Sequence, residues 1–336
     1  MRVAIAGAGV SGSYLACLLA GEGQVFDLYE SPQTRHTRCG ISPCAWMVPI
    51  RGFSSLVEDA GLEPEKYVLS KIPEMGFNHQ IFATDLYTID KPSLLRDLRG
   101  QGREVMHSVL DPTSYDRVID ATGETRAYLP PIENDTVIPT VQYLTECAGE
   151  PNTAEILLVA LGYAWRFPMG KGIWHVGCGS ISNSPEKELA KTGLLDSRNI
   201  ITCKCPQASV RLTGPEHSKP YVDGKVWGVG ESIGCVSPVI GEGIVPAMEC
   251  SKILIENWND PERYTSTINL RFDWVNREAR LLQKIIHENS FSSSDGLTIA
   301  RNASRIGMKL GAKNALSFIR LLKKGISNGT QTTECP

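Results

Sequence analysis

The sequence predicts an α/β protein in which a Rossmann-like nucleotide-binding sheet is interrupted by an antiparallel sheet and followed by C-terminal helices. Three observations carry this prediction. A short apolar strand over Val3–Ala6 runs into the glycine turn Gly7-Ala8-Gly9-Val10-Ser11-Gly12. Two later apolar runs, at 117–120 and 225–229, end in glycine turns of the same kind. Between them, 154–162 and 172–179 are β-rich and joined by a turn, as expected of an antiparallel insertion.

Each element has a local cause. After the turn, residues 14–20 form a continuous apolar helix that Gly21 and Gly23 end, and 25–30 begins a second strand. Strand, turn, helix, strand is the unit that binds a dinucleotide pyrophosphate. Gly7 and Gly9, lacking Cβ, let backbone N–H groups approach the phosphates, and Gly12 lets helix and strand pack closely. Glu30 stands 18 residues after Gly12 at the end of the second strand, where a carboxylate can accept hydrogen bonds from the ribose hydroxyls. These residues alone do not separate FAD from NAD. Further on, 245–258 and 261–289 have helical patterns, and 297–326 is apolar among Arg301, Arg305, Lys309, Lys313, Arg320, Lys323 and Lys324. That last segment is either a helix docked on the core with its basic face in solvent or one lying on anionic lipid.

The 336 residues are long enough for a large core, with 42% hydrophobic and 21% charged residues. A net charge of −3 gives no field for nucleic acid, which needs clustered Lys and Arg. Ten cysteines in a chain this long do not read as a disulfide scaffold, and Met1-Arg2-Val3-Ala4 enters a strand directly, so a reducing cytoplasm is the expected compartment. Cys203 and Cys205 lack a second pair at zinc-site spacing, and no metal is expected. No run approaches the ~18–20 apolar residues that span a bilayer, which leaves peripheral contact at the inner face of the membrane.

Four segments carry a more specific signal. Gly162-Tyr163-Ala164-Trp165-Arg166-Phe167-Pro168 is followed by Val176-Gly177-Cys178-Gly179. Gly230-Glu231-Ser232-Ile233-Gly234 runs on through Pro238 to Gly241-Glu242-Gly243-Ile244, and Arg38-Cys39-Gly40 and Asp120-Ala121-Thr122-Gly123 complete the set. Together they resemble the geranylgeranyl reductase family, flavoproteins related to the aromatic hydroxylases. The resemblance implies FAD as cofactor, contacted by Gly7, Gly9, Gly12, Glu30, Arg38, Cys39, Gly40, Ala121, Gly123, Gly230, Glu231, Gly241, Glu242, Gly243 and Ile244. It also implies a discontinuous FAD domain (1–60, 85–130, 220–260), a substrate-binding sheet domain (61–84, 131–219), a helical region (261–327) and a flexible tail (328–336). The family has Asp at the position of Glu231, and the stretch between residues 91 and 117 is shorter here.

The implied reaction is hydrogenation of isolated double bonds in a geranylgeranyl or other polyprenyl chain, with hydride from the flavin and a proton from an acid. Cys39, Tyr163 and Trp165 are the candidate catalytic residues, and Tyr163, Trp165, Phe167 and Pro168 the candidate substrate wall. Tyr163, Trp165 and Phe167 alternate along a strand and so share one face. That face either holds an isoprenoid or packs the sheet against the nucleotide domain. Cys39 either relays a proton beside the flavin or is a small buried hydrophobe, and His36 and His79 are further candidate acids. The substrate would be a prenyl-chain lipid or quinone-like molecule, and the electron donor ferredoxin, a reduced deazaflavin or NAD(P)H. Rival readings are a flavin monooxygenase or halogenase, for which Lys66 and Lys71 are not in a recognisable motif, a flavin-dependent isomerase or cyclase, and a catalytically silent flavoprotein.

Overall fold

The apolar runs of the sequence form two sheets. The computed structural model describes residues 1–31, 44–100, 104–146, 153–201, 207–288 and 290–330. In chain order the elements begin with β1 (Val3–Ala6), α1 (Val10–Gly21), β2 (Phe26–Tyr29), β3 (Met47–Pro49) and α2 (Ile50–Asp59). There follow β4 (Val68–Phe77), β5 (Gln80–Ile89), α3 (Lys91–Arg99), β6 (Arg117–Asp120), β7 (Val137–Glu146), β8 (Ala154–Val159) and β9 (Gly162–Pro168). Then come β10 (Ile173–Ser180), α4 (Pro185–Thr192), β11 (Gln207–Arg211), β12 (Val222–Asp223), β13 (Val226–Gly228) and α5 (Ile244–Glu256). Four helices close the chain: α6 (Pro261–Arg271), α7 (Asp273–Glu288), α8 (Ser293–Arg305) and α9 (Ala312–Thr330).

The first sheet has the order β12-β13-β6-β1-β2 and is parallel except for β12. All four residues of β1 are buried, as a central parallel strand covered on both faces must be. Strand 117–120 pairs with β1 and strand 226–228, far away in sequence, pairs on its outer side, so this sheet is assembled from discontinuous segments. Helices α1 and α5 cover one face, and the Ser251 hydroxyl donates to the Ser11 carbonyl at 3.0 Å where they meet.

The second sheet has eight strands in the order β11-β7-β10-β9-β8-β4-β5-β3, antiparallel apart from the β4–β8 pair. Strand β5 stays in this sheet to Ile89, and β3 pairs on its far side. One face packs Ala164, Trp174, Val176 and Cys178 with Leu189 of α4. The other buries Trp165 and Phe167 with Ile285 of α7, Ile299 of α8, and Phe318 and Leu322 of α9.

The basic C-terminal segment is thus two helices, docked through their apolar sides. The chain breaks at Gly307, where φ is +95° and an added Cβ would stand 2.6 Å from the Asp85 carbonyl oxygen. Only glycine accommodates both conditions. Among the described residues no helix is long and apolar enough to cross a membrane.

Candidate functional site

The expected cofactor turn has the geometry of a phosphate cradle. Gly7 has φ +103°, and a Cβ there would lie 2.3 Å from the Ala121 carbonyl oxygen. Gly12 faces back onto the turn, where a Cβ would meet the Gly7 oxygen at 1.8 Å. Those two glycines are required by protein packing alone. Gly9 differs: a Cβ there would meet nothing within 4 Å, and α1 begins with no side-chain cap. An uncapped helix N-terminus beside open space is what an anionic ligand needs. Glu30 turns toward the same place, its Oε2 accepting the Ala8 N–H at 3.0 Å and its Oε1 that of Ser31 at 2.9 Å. The residues present therefore fit a dinucleotide.

Ala121 and Gly123 follow β6, and the buried Asp120 organises their turn by accepting the N–H groups of Thr122, Tyr128 and Leu129. Asp120 is thus structural. Gly230 abuts the glycine turn from β13, since its added Cβ would stand 2.0 Å from Ser11 Oγ.

Glu231 does not point away into solvent. Its Oε1 accepts the Arg211 N–H at 2.8 Å, while the Arg211 guanidinium donates to the carbonyls of Glu231 and Glu124, each at 2.6 Å, and pairs with Asp135 at 2.9 Å. The extra methylene of Glu thus reaches the edge strand β11. Burial pushes the Glu231 carboxyl up to about 7, against the Arg211 N–H and charge.

Glu242 Oε1 takes the N–H of Val245 at 3.0 Å and its carboxylate also that of Ile244, so the side chain caps α5 itself. Burial raises this carboxyl to about 8. Among the described residues the half-buried N–H groups of Glu242 and Gly243 have no acceptor, and these two can meet a flavin carbonyl. Gly241, at φ +67°, would bring a Cβ within 3.1 Å of the Tyr163 hydroxyl.

That hydroxyl donates to the Ile240 carbonyl and joins β9 to the loop. Tyr163, Trp165 and Phe167 form one row, with ring centroids 5.8 and 6.4 Å apart. Trp165 lies over Gly177 of β10, where an added Cβ would meet its ring at 2.3 Å. Its indole N–H donates to His175 Nδ1 at 3.2 Å. The row borders Met47, Val239 and the C-terminal helices. Pro168 ends β9, and its carbonyl accepts the Thr88 hydroxyl at 2.6 Å.

Arg38, Cys39 and Gly40 lie outside the described residues, as do His36, Cys203 and Cys205. His79 stands exposed beside the β4–β5 hairpin, 3.6 Å from Glu155, away from this site.

Two residues escaped the sequence reading. His175 is buried, and desolvation with the nearby Lys91 charge pushes it down to about 3, so its imidazole is neutral. Lys91, at the start of α3, is 8% exposed, and its charge acts on both His175 and Glu231. A lysine whose charge reaches both His175 of the antiparallel sheet and Glu231 after β13 could stabilise a bound anion there. The only sequence signal for it was the helix-start pattern Asp90-Lys91-Pro92, whose Asp90 caps α3 through the Ser93 N–H at 3.1 Å.

Comparison with known proteins bears on this arrangement. No family model matches the chain. A protein of Methanocaldococcus jannaschii of uncharacterised function is 24% identical over 306 residues, covering 76% of this chain and 82% of that one. Digeranylgeranylglycerophospholipid reductase 2 of Methanothermobacter thermautotrophicus is 28% identical over 204 residues, 54% of this chain and 51% of the relative. Among solved structures, a geranylgeranyl bacteriochlorophyll reductase-like protein of Thermoplasma acidophilum matches with a TM-score of 0.70 over 98% of both chains, at 16% identity. A flavin-dependent halogenase of Xanthomonas campestris matches with a TM-score of 0.66 over 98% of this chain and 95% of its own, at 12% identity. The chain shares its fold with these two solved structures, and in this chain that fold is a parallel sheet joined to a large antiparallel sheet and closed by C-terminal helices.

Proposed function

We propose that this chain is an FAD-dependent reductase that hydrogenates carbon–carbon double bonds of a geranylgeranyl or other polyprenyl chain. The observation that carries the reading is the bond from Tyr163 to Ile240. It sets the aromatic row of β9 against the loop before α5, so that an apolar wall borders the flavin end of the nucleotide site. The likeness to the digeranylgeranylglycerophospholipid reductase and to the reductase-like protein above supports the same choice.

FAD would be held by Gly7, Gly9 and Gly12 at its pyrophosphate, by Glu30 at the adenosine ribose, and by Gly230, Glu231 and the loop 241–244 toward the ring. Ala121, Gly123 and Lys91 would line the same groove, and the family resemblance adds Arg38, Cys39 and Gly40, which lie outside the described residues. When bound, FAD supplies the hydride. Tyr163, the half-buried member of the row, would meet the prenyl chain and fix the ring-facing loop, with Trp165 and Phe167 packed behind it against the C-terminal helices to exclude water. Cys39 is the candidate acid. Of the expected domain bounds, 47–49 and 85–89 belong with β3 and β5 to the antiparallel sheet, so we assign 1–46, 50–60, 90–130 and 220–260 to the FAD domain, 47–49, 61–89 and 131–219 to the substrate sheet, and 261–327 to the helical region. Electrons come from ferredoxin, a reduced deazaflavin or NAD(P)H. The exposed Arg301, Arg305, Lys313 and Arg320, with the exposed Leu297 and Leu316, support peripheral contact of α8 and α9 with an anionic membrane.

A halogenase shares the fold, but Lys66 and Lys71 are surface residues, Lys66 at 2.6 Å from Asp97 and Lys71 at 3.7 Å from Glu65. Neither faces the aromatic row. The test is anaerobic reduction of the flavin by dithionite, then addition of a geranylgeranyl lipid. A reductase reoxidises the flavin and yields product two mass units heavier per saturated bond. Flavin that stays reduced until oxygen is admitted counts against the reading.

A further inference from the structure

We propose that Glu278 of α7 is a positioning residue for the loop 237–243, which makes the C-terminal helices part of the cofactor site. This rests on the reading that the loop faces the flavin ring. Glu278 is 1% exposed and belongs to none of the motifs described above. Ser237 Oγ donates to its Oε2 at 2.5 Å, Asn302 Nδ2 of α8 donates to its Oε1 at 2.8 Å, and the Val239 N–H donates to the same carboxylate. Ser237 then carries the loop. Its Oγ accepts the Ile240 N–H at 3.3 Å, its carbonyl accepts the Gly241 N–H at 2.9 Å, and its own N–H donates to the Glu242 carbonyl at 2.9 Å.

One buried carboxylate thus holds Ser237 and Val239, and Ser237 holds the three residues that follow Val239. On its opposite side the loop is held by Tyr163 through the Ile240 carbonyl. The N–H groups of Glu242 and Gly243 hang between these two supports. A carboxylate in the interior is costly unless several donors converge on it, and here they come from a helix and from the loop itself. Removing it leaves the hydroxyl of Ser237 and the N–H of Val239 without their acceptor, so the loop must move.

The experiment uses the full-length protein, titrated with FAD and followed by flavin fluorescence and visible absorption. Glu278→Gln keeps an acceptor for Asn302 but presents a donor toward Ser237. It should weaken FAD binding about tenfold, as loss of one buried hydrogen bond would, and shift the visible bands of the bound flavin. Tyr163→Phe loosens the other support, and in the double variant the losses should be non-additive because both act on one loop. If Glu278→Gln does not fold, Asn302→Ala strips one donor and leaves the carboxylate, and it should shift the bands in the same direction by less. Wild-type affinity and spectrum in a folded variant, or strictly additive losses in the cycle, would overturn the proposal. Gly243→Val separates the premise from the proposal. If it changes the flavin spectrum and Glu278→Gln does not, the loop faces the flavin and only the role of Glu278 is lost; if neither changes it, the premise is lost as well.

Discussion

The Trp165 indole N–H donates to His175 Nδ1 across neighbouring strands at 3.2 Å, with the two rings stacked 13° from parallel. The bond needs a neutral imidazole, and burial supplies one by holding His175 at about 3. A base whose folded pKa lies below its unfolded value of about 6.5 contributes stability that is lost as pH falls from ~6.5 toward 3. His175 alone should therefore cost about 2 kcal/mol by pH 5. Urea unfolding at pH 5 and pH 7 should show this difference in the wild type, and His175→Gln should shrink it. An unchanged difference in that variant would assign the acid sensitivity to other groups.

The glycine turn makes two opposite predictions. Gly12→Ala forces a Cβ to within 1.8 Å of the Gly7 oxygen, an overpacking expected to cost about 1–3 kcal/mol or more in the apoprotein. Gly9→Ala meets nothing within 4 Å, so apoprotein stability should change by less than about 0.5 kcal/mol. Its methyl would occupy the space assigned to the pyrophosphate, and FAD affinity should fall at least tenfold. Thermal melts of the two apoproteins, with FAD titrations, check both. Equal FAD affinity in Gly9→Ala and wild type would place the phosphates elsewhere.

Glu242 gives the alkaline counterpart of His175. Its carboxyl, raised from 4.5 to about 8, is protonated in the folded apoprotein and ionised in the unfolded chain at neutral pH. The stability tied to that proton is full below about 4.5 and is lost as pH rises to about 8. Glu242→Gln removes the penalty and should stabilise the apoprotein at pH 8 by on the order of 2 kcal/mol, less than the full shift because the residue is partly open to water. At pH 4.5 the variant and wild type should match. Chemical denaturation at the two pH values decides it, and a variant that is no more stable at pH 8 refutes the assignment.

The parts legible in the sequence are those in which residues close along the chain determine the geometry. The turn at Gly7–Gly12 and the acid at Glu30 belong to one strand–helix–strand unit, and the alternation of Tyr163, Trp165 and Phe167 follows from the two-residue period of a strand. Partners of Glu231 and Glu278 were hidden, because topology brings them together. Arg211 reaches Glu231 across 20 residues and Asp135 across 76, and Ser237 reaches Glu278 across 41, with no spacing rule connecting them. The break between α8 and α9 was hidden for the same reason. Residues 297–326 read as one apolar segment, and what requires Gly307 is the carbonyl of Asp85, more than 200 positions earlier.

Arg211 supplies the last test, because it is the most connected charge beside the candidate site. It is 2% exposed, and its guanidinium joins Asp135, which precedes β7, to the carbonyls of Glu124 and Glu231. Arg211→Met keeps the length of the side chain and removes five donors, stranding the Asp135 carboxylate and two carbonyls. Breaking a buried pair by deleting one partner typically costs about 3–5 kcal/mol. The double variant Arg211→Met with Asp135→Leu should recover part of that loss, since no buried charge is then left alone. Recovery of stability need not bring recovery of cofactor binding. The carbonyl of Glu231 would still lack its donor, so FAD affinity in the double variant should stay below wild type even where the melting temperature returns. If affinity and melting temperature recover together, Arg211 acts on the cofactor only through global stability.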